Sequence, residues 1–277
     1  MAEKFLNQIR SGIINTGLKF ISVDEKIIHM FLDTGAKSIR PIVINVITKA
    51  MFTKFLDLLK NEKNYTKEGQ VHNGTIQGIP ISVIRTEMGA PNASILMECL
   101  KRTGAKIIIR AEICGSLNPS INIGHVFIPK DALIGDGTCP YYLRKTHQQI
   151  SKISVNMELY QAIWKIIQEE IPDSVKYLHT GTVWTTDALF CETTTEIKYW
   201  QDLGAEAVDM ETSVMYLLSS LFQLPSISIL GVTDIPNSDY DLFETNKIHP
   251  EMGNAVSRVV QLVIRILSGI NARLTQK

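Results

Sequence analysis

Apolar residues recur at helical spacing through Met51, Phe52, Phe55 and Leu58-Leu59, which predicts an amphipathic helix over residues 49–60. The same spacing predicts helices over 92–103, closed by Gly104, and over 154–170, 196–203 and 211–222. A long terminal helix over 249–272 carries Met252, Val256, Val259, Val263, Ile266 and Ile270 on one face. Between these helices lie short apolar, β-branched runs, which predict strands at 41–47, 107–109, 125–128, 180–184, 206–210 and 226–232. Residues 75–85 read as a hairpin turning at Gln77-Gly78. The polar stretch 61–74 reads as a loop, and 130–145 as irregular chain. In the first 40 residues, Phe5, Ile9, Ile13 and Ile14 predict one or two short amphipathic helices. Strands alternating with helices predict an α/β fold, with a mostly parallel sheet under helices on both sides. The expected organisation is a helical extension over 1–40 and one α/β domain over 41–277.

Composition narrows the function classes. The 277 residues are 45% hydrophobic, enough for a large core, and 28 basic residues balance 28 acidic ones. Neither a nucleic-acid surface nor a membrane surface is expected. No uninterrupted apolar run approaches the roughly 20 residues of a membrane helix. The first residues lack the apolar core of a signal peptide. The four cysteines are scattered without a C-x-x-C pair, which predicts free thiols and a cytoplasmic location. No clustered Cys/His pattern points to a metal, and neither a G-x-S-x-G elbow nor a P-loop is present.

In a sheet of this class, ligands bind beyond the carboxyl ends of the strands. The predicted strands end on Thr48-Lys49, Arg85-Thr86-Glu87, Arg110 with Glu112, Thr185-Thr186-Asp187, Asp209-Met210-Glu211 and Thr233-Asp234. Several carboxylates and a few cations should therefore converge on one rim. Arg110, near the turn at Gly115, is a candidate anion ligand, but Glu112 would repel the same anion.

The segments "VDMETSVMYLLSSL", "ILGVTD" and "MGAPNASILMECLKRTGAKIIIRAEICGSL" resemble the nucleoside phosphorylase-I family, the purine nucleoside and uridine phosphorylases, over about residues 41–270. The resemblance implies a distorted mixed central sheet flanked by helices, and homo-oligomers (a dimer, or a hexamer of dimers). It implies a small-molecule nucleoside substrate, phosphate as co-substrate and no cofactor. By position, Glu211 would accept hydrogen bonds from the ribose hydroxyls, with Met210 and Asp209 beside it. Asp234 would protonate purine N7 as the glycosidic bond breaks. Leu189, Phe190 and Thr233 would line the base pocket. Arg110 would grip phosphate, with Lys49, Ile113 and Lys67 as further phosphate-side positions.

The phosphate side departs from the family pattern. Glu112 and Ile113 replace a small residue and a hydroxyl, and residues 45–49 replace G-D-P-x-R. Arg110 could then pair internally with Glu112 or Glu87. The expected activity is phosphorolysis of a nucleoside. The alternatives are a nucleosidase using water, a weak or inactive nucleoside-binding homologue, and a uridine phosphorylase. Thr193 and Thr195 stand where the uridine enzymes carry a Gln-x-Arg pair, which favours a purine.

Overall fold

The apolar run that opens the domain is buried at every residue and becomes strand β1, Ile42–Val46. The computed structural model describes residues 21–64 and 69–275. Lys67 and the helices expected around Phe5, Ile9, Ile13 and Ile14 lie outside the described residues. The remaining strands are β2 (Lys60–Asn64), β3 (Val71–Ile76), β4 (Ile79–Arg85), β5 (Ile107–Ser116), β6 (Val126–Gly135), β7 (Lys152–Ser154), β8 (Leu178–Thr186), β9 (Ala207–Asp209) and β10 (Ser226–Asp234). The helices are α1 (Val23–Leu32), α2 (Lys49–Leu58), α3 (Ala90–Leu100), α4 (Cys139–Lys145), α5 (Met157–Glu170), α6 (Thr194–Asp202), α7 (Thr212–Phe222) and α8 (Met252–Thr275).

These strands form one ten-stranded sheet. It is mixed rather than mostly parallel, with five parallel and five antiparallel pairings. Near Ile42, β1 lies between β4 and β5, in parallel with both. Beyond β1, the far end of β5 pairs with β9, while its other edge pairs with β10. Because β10 also pairs with β6, β6 with β8 and β8 with β9, five strands close into a ring. Register shifts at Pro129/Asp131 in β6 and at Val232/Asp234 in β10 bend the strands enough for closure. Gly115 sits where β9 and β10 both approach β5. A Cβ there would lie 3.0 Å from Pro236 and 3.0 Å from Val208.

Three departures from the expected elements have physical causes. First, β5 continues six residues beyond Arg110, because the charges of Arg110 and Glu112 find partners inside the fold. Second, residues 130–135 belong to β6; Pro129 falls at the register shift, and its carbonyl accepts the Tyr216 hydroxyl at 2.8 Å. Third, the loop expected over 61–74 contains polar β2 at the sheet edge and most of β3. A charged edge strand is what discourages pairing with another chain, and it hides from apolar periodicity.

The hairpin at Gln77-Gly78 forms as read, with both residues at positive φ. Helix α1 buries Ile28 and Leu32 in the main core, so the described part of the N-terminal extension packs into the domain. Helix α8 is long and apolar enough to span a bilayer by length and composition. Its face of Ala255, Val259, Val263, Ile266 and Ile270 is nevertheless buried in the core, packed over β10 and β5.

Candidate active site

The carboxyl ends of β5, β9 and β10 meet where the ring joins the open sheet, and the connections after β1, β4 and β8 complete one pocket there. Arg110 reaches this place from the middle of β5, not from a strand end, and is 1% exposed. One guanidinium nitrogen donates to Asp209 Oδ2 at 2.8 Å and to Thr212 Oγ1 at 3.2 Å, and the other to Glu211 Oε2. The expected partners, Glu112 and Glu87, are not the ones that hold it. Its Nε is buried and has no acceptor among the described residues.

Asp209 and Glu211 are fixed in turn by the starts of α7 and α3. The Asp209 carboxylate accepts the Thr212 amide at 3.1 Å and the Thr185 hydroxyl at 2.8 Å, so it caps the helix while holding Arg110. Glu211 Oε1 accepts the amide of Gly89 at 2.7 Å. Gly89 presents that amide at φ +101°, a conformation that disfavours any side chain. Burial pushes the Glu211 carboxyl up to about 7; Arg110 pulls it down and Asp209 opposes Arg110. These two carboxylates hold Arg110 firmly in its charged form despite its burial.

Glu112 takes a different direction. Its Oε1 accepts the amides of Ile47 at 3.0 Å and Thr48 at 2.8 Å, and the Thr48 hydroxyl at 3.0 Å. Its Oε2 is met by the amide of Ile113 at 3.2 Å. The carboxylate thus sits on the first turn of α2, where the helix dipole favours a negative charge. Ile113 lines the pocket; Lys49 is exposed and does not. Asn45 is buried and donates to Ile84 O and Thr86 Oγ1, so it serves the sheet.

Asp234 also lines the pocket, buried and accepting the Thr233 hydroxyl at 3.0 Å. Burial pushes its carboxyl up to about 6, and Asp241 adds to the shift. Leu189 and Met210 line the same space. Phe190 is 77% exposed and outside it, packed edge-to-face on Phe243 at 6.0 Å; Phe243 is the aromatic that lines the pocket.

Two contributors were invisible to the strand-end reading because they lie in connections. Glu192 follows a single helical turn, and burial pushes its carboxyl up to about 8, with Asp234 and Asp241 contributing. Phe243 is presented by a loop that Asp241 organises, accepting the amides of Asn237, Phe243 and Glu244. An Asp followed two residues later by an aromatic, Asp241 and Phe243, is what the sequence itself shows there. Cys114 also lines the pocket, but burial raises its thiol so far that it stays protonated.

The pocket is therefore walled by five carboxylates (Glu112, Glu192, Asp209, Glu211 and Asp234) and one guanidinium, Arg110. The lining thus includes carboxylate acceptors, Glu211 among them, and a carboxyl raised to about 6 at Asp234. Among the described residues, no group of three His, Cys, Asp or Glu could hold a metal ion.

The profile of the Phosphorylase superfamily matches residues 41–268, and the chain belongs to that family, whose members include nucleoside phosphorylases and nucleosidases. The chain spans 43% and 75% of the length of two curated relatives it matches, both enzymes of that family. It is 31% identical over 126 residues to a uridine phosphorylase of Thermococcus kodakarensis, spanning 46% of this chain and 43% of that one. It is 29% identical over 186 residues to a DeoD-type purine nucleoside phosphorylase of Caldanaerobacter subterraneus subsp. tengcongensis, spanning 64% and 75% respectively. Among solved structures, the AMP nucleosidase of Bacteroides thetaiotaomicron shares the fold with a TM-score of 0.71 at 20% identity, over 91% of this chain and 100% of that one.

Proposed function

We propose that this protein cleaves the N-glycosidic bond of a purine nucleoside and that water, rather than phosphate, is the nucleophile. The observation that carries this reading is that the donors a phosphate would need are already taken: Glu112 accepts the amides of Ile47 and Thr48, and Asp209 and Glu211 hold the single guanidinium of the pocket, Arg110. A phosphate dianion entering such a site finds its amide donors occupied by a carboxylate and no unpaired cation to offset its charge. A neutral nucleoside and a water molecule meet no such penalty.

The residues divide the work as follows. Glu211, with Arg110 fixing one of its oxygens, accepts hydrogen bonds from the vicinal ribose hydroxyls, and Met210 packs on the sugar. Asp234, with its carboxyl raised to about 6, gives its proton to N7 of the base. As the C1′–N9 bond breaks, its electron pair leaves with the base, which that proton neutralises. The water oxygen bonds to C1′, and the one proton it loses is relayed through solvent back to the Asp234 carboxylate. The products are free base and ribose. Leu189 and Phe243 border the base; Thr233, expected beside them, is buried outside the pocket lining and acts through the hydroxyl it donates to Asp234.

Phosphorolysis is the second reading, favoured by the relatives named as phosphorylases and by the amides of Ile47 and Thr48 facing the pocket. The test of bond and base is release from inosine, adenosine, methylthioadenosine and uridine by the purified protein. Release from at least one purine nucleoside ahead of uridine is expected; release from uridine alone would contradict the purine assignment.

Glu211→Gln is expected to weaken nucleoside binding by roughly 1.5–3 kcal/mol, the worth of a charged hydrogen bond. Calorimetric titration checks this, and an affinity within about twofold of wild type would remove Glu211 as the ribose anchor. We further propose a homo-oligomer, a dimer at least, located in the cytoplasm. Light scattering at micromolar concentration should show more than one subunit, and a monomer would contradict it.

A further inference from the structure

Glu112 stands two residues after Arg110 on β5, so both side chains leave the same face of the strand. Its carboxylate does not pair with the guanidinium. One of its oxygens instead gathers three donors within 3.0 Å: the amides of Ile47 and Thr48 and the hydroxyl of Thr48. Two successive amides and a hydroxyl at the start of a ten-residue helix make an anion cradle. A second observation points the same way. Arg110 is fully buried on the same pocket and keeps an Nε–H with no acceptor among the described residues. Donors suited to an oxyanion, the amides of Ile47 and Thr48 and the Thr48 hydroxyl, therefore meet at a place that the chain fills with its own carboxylate, in the pocket that Arg110 also lines.

The geometry points to Glu112 as a tethered stand-in for inorganic phosphate, closing a latent oxyanion site between β1 and α2. This rests on the reading above that water is the nucleophile, and it supplies the reason: the anion's seat is taken. A negative charge fixed there both satisfies the amides and excludes a second anion. Removing the carboxylate should leave the amides unsatisfied and the seat open, so that phosphate stabilises the altered protein by mass action.

The test is binding of inorganic phosphate, with no nucleoside present, to wild type, Glu112→Ala and Glu112→Ser, by calorimetry and by the phosphate dependence of Tm. Wild type should show no saturable heat and no Tm change. Both variants should bind phosphate at least about tenfold more tightly than wild type. Their Tm, lowered by the lost contacts, should climb back as phosphate is added. With nucleoside present, the variants should form ribose 1-phosphate. There a phosphate oxygen bonds to C1′, the glycosidic electron pair leaves with the base, and Asp234 supplies the proton. Folded variants whose phosphate affinity matches wild type would overturn the proposal. Variants that stay unfolded even in phosphate would also overturn it, since phosphate should replace the lost contacts. Because the binding measurement needs no turnover, its failure is distinct from failure of the hydrolytic reading, which shows only in the products of the wild type.

Discussion

Asp234→Asn is expected to slow base release by about 10²–10⁴-fold while leaving nucleoside binding nearly unchanged, because it removes the proton donor and keeps the shape. The carboxyl of Asp234 is raised to about 6 by burial, so the acid form is available at mildly acidic pH and is lost as pH rises through that value. The rate of the wild type should therefore fall above about pH 6, and the variant should lack that limb. A single-turnover pH series on both proteins checks this. A variant that retains both the rate and the limb would transfer the proton to another group, with Glu192, raised to about 8, the next carboxyl on the same wall.

Arg110→Met should be the most damaging change to stability, by about 3–5 kcal/mol at neutral pH, because it strands two buried carboxylates. Asp209 and Glu211 both lose their countercharge, and each is buried to a few per cent exposure. The loss should depend on pH with a definite sign. The Glu211 carboxyl already sits above its ordinary range in the folded protein, and removing Arg110 takes away the group that pulls it down. An acid whose folded pKa is raised contributes stability below its unfolded pKa and loses it as pH rises through the folded value. The variant should accordingly approach wild type near pH 5 and fall furthest behind near pH 8 in urea unfolding. A penalty below about 1 kcal/mol at pH 8 would show that the buried charges find other partners.

The parts of the fold that were legible in the sequence are those where burial and periodicity agree. β1, β10, α7 and α8 each bury a continuous run or a clean helical stripe. What escaped were strands whose polarity has a tertiary cause. β5 looked finished at Arg110 because a charge inside a strand makes sense only once Asp209 and Glu211, about a hundred residues later, come to meet it. β2 is polar because it is an edge, and β6 crosses a proline because a bulge absorbs it.

The site divides in the same way. Asp209, Met210, Glu211 and Asp234 stand at strand ends in a contiguous pattern, and they meet in one pocket with Arg110. Glu192 and Phe243 come from connections, where position in space owes little to local sequence. Glu112 was visible as a charge that opposes an anion. The amides that receive it belong to a turn about 65 residues away, so its role as the occupant of the cradle could only come from the fold.

The central claim is that the anion seat is filled and water does the cleaving. Its most direct measurement is the sugar product of wild-type turnover on a purine nucleoside in excess inorganic phosphate. The account predicts free ribose, at a rate that phosphate does not change. Ribose 1-phosphate as the product, formed at a rate that rises with phosphate, would contradict it.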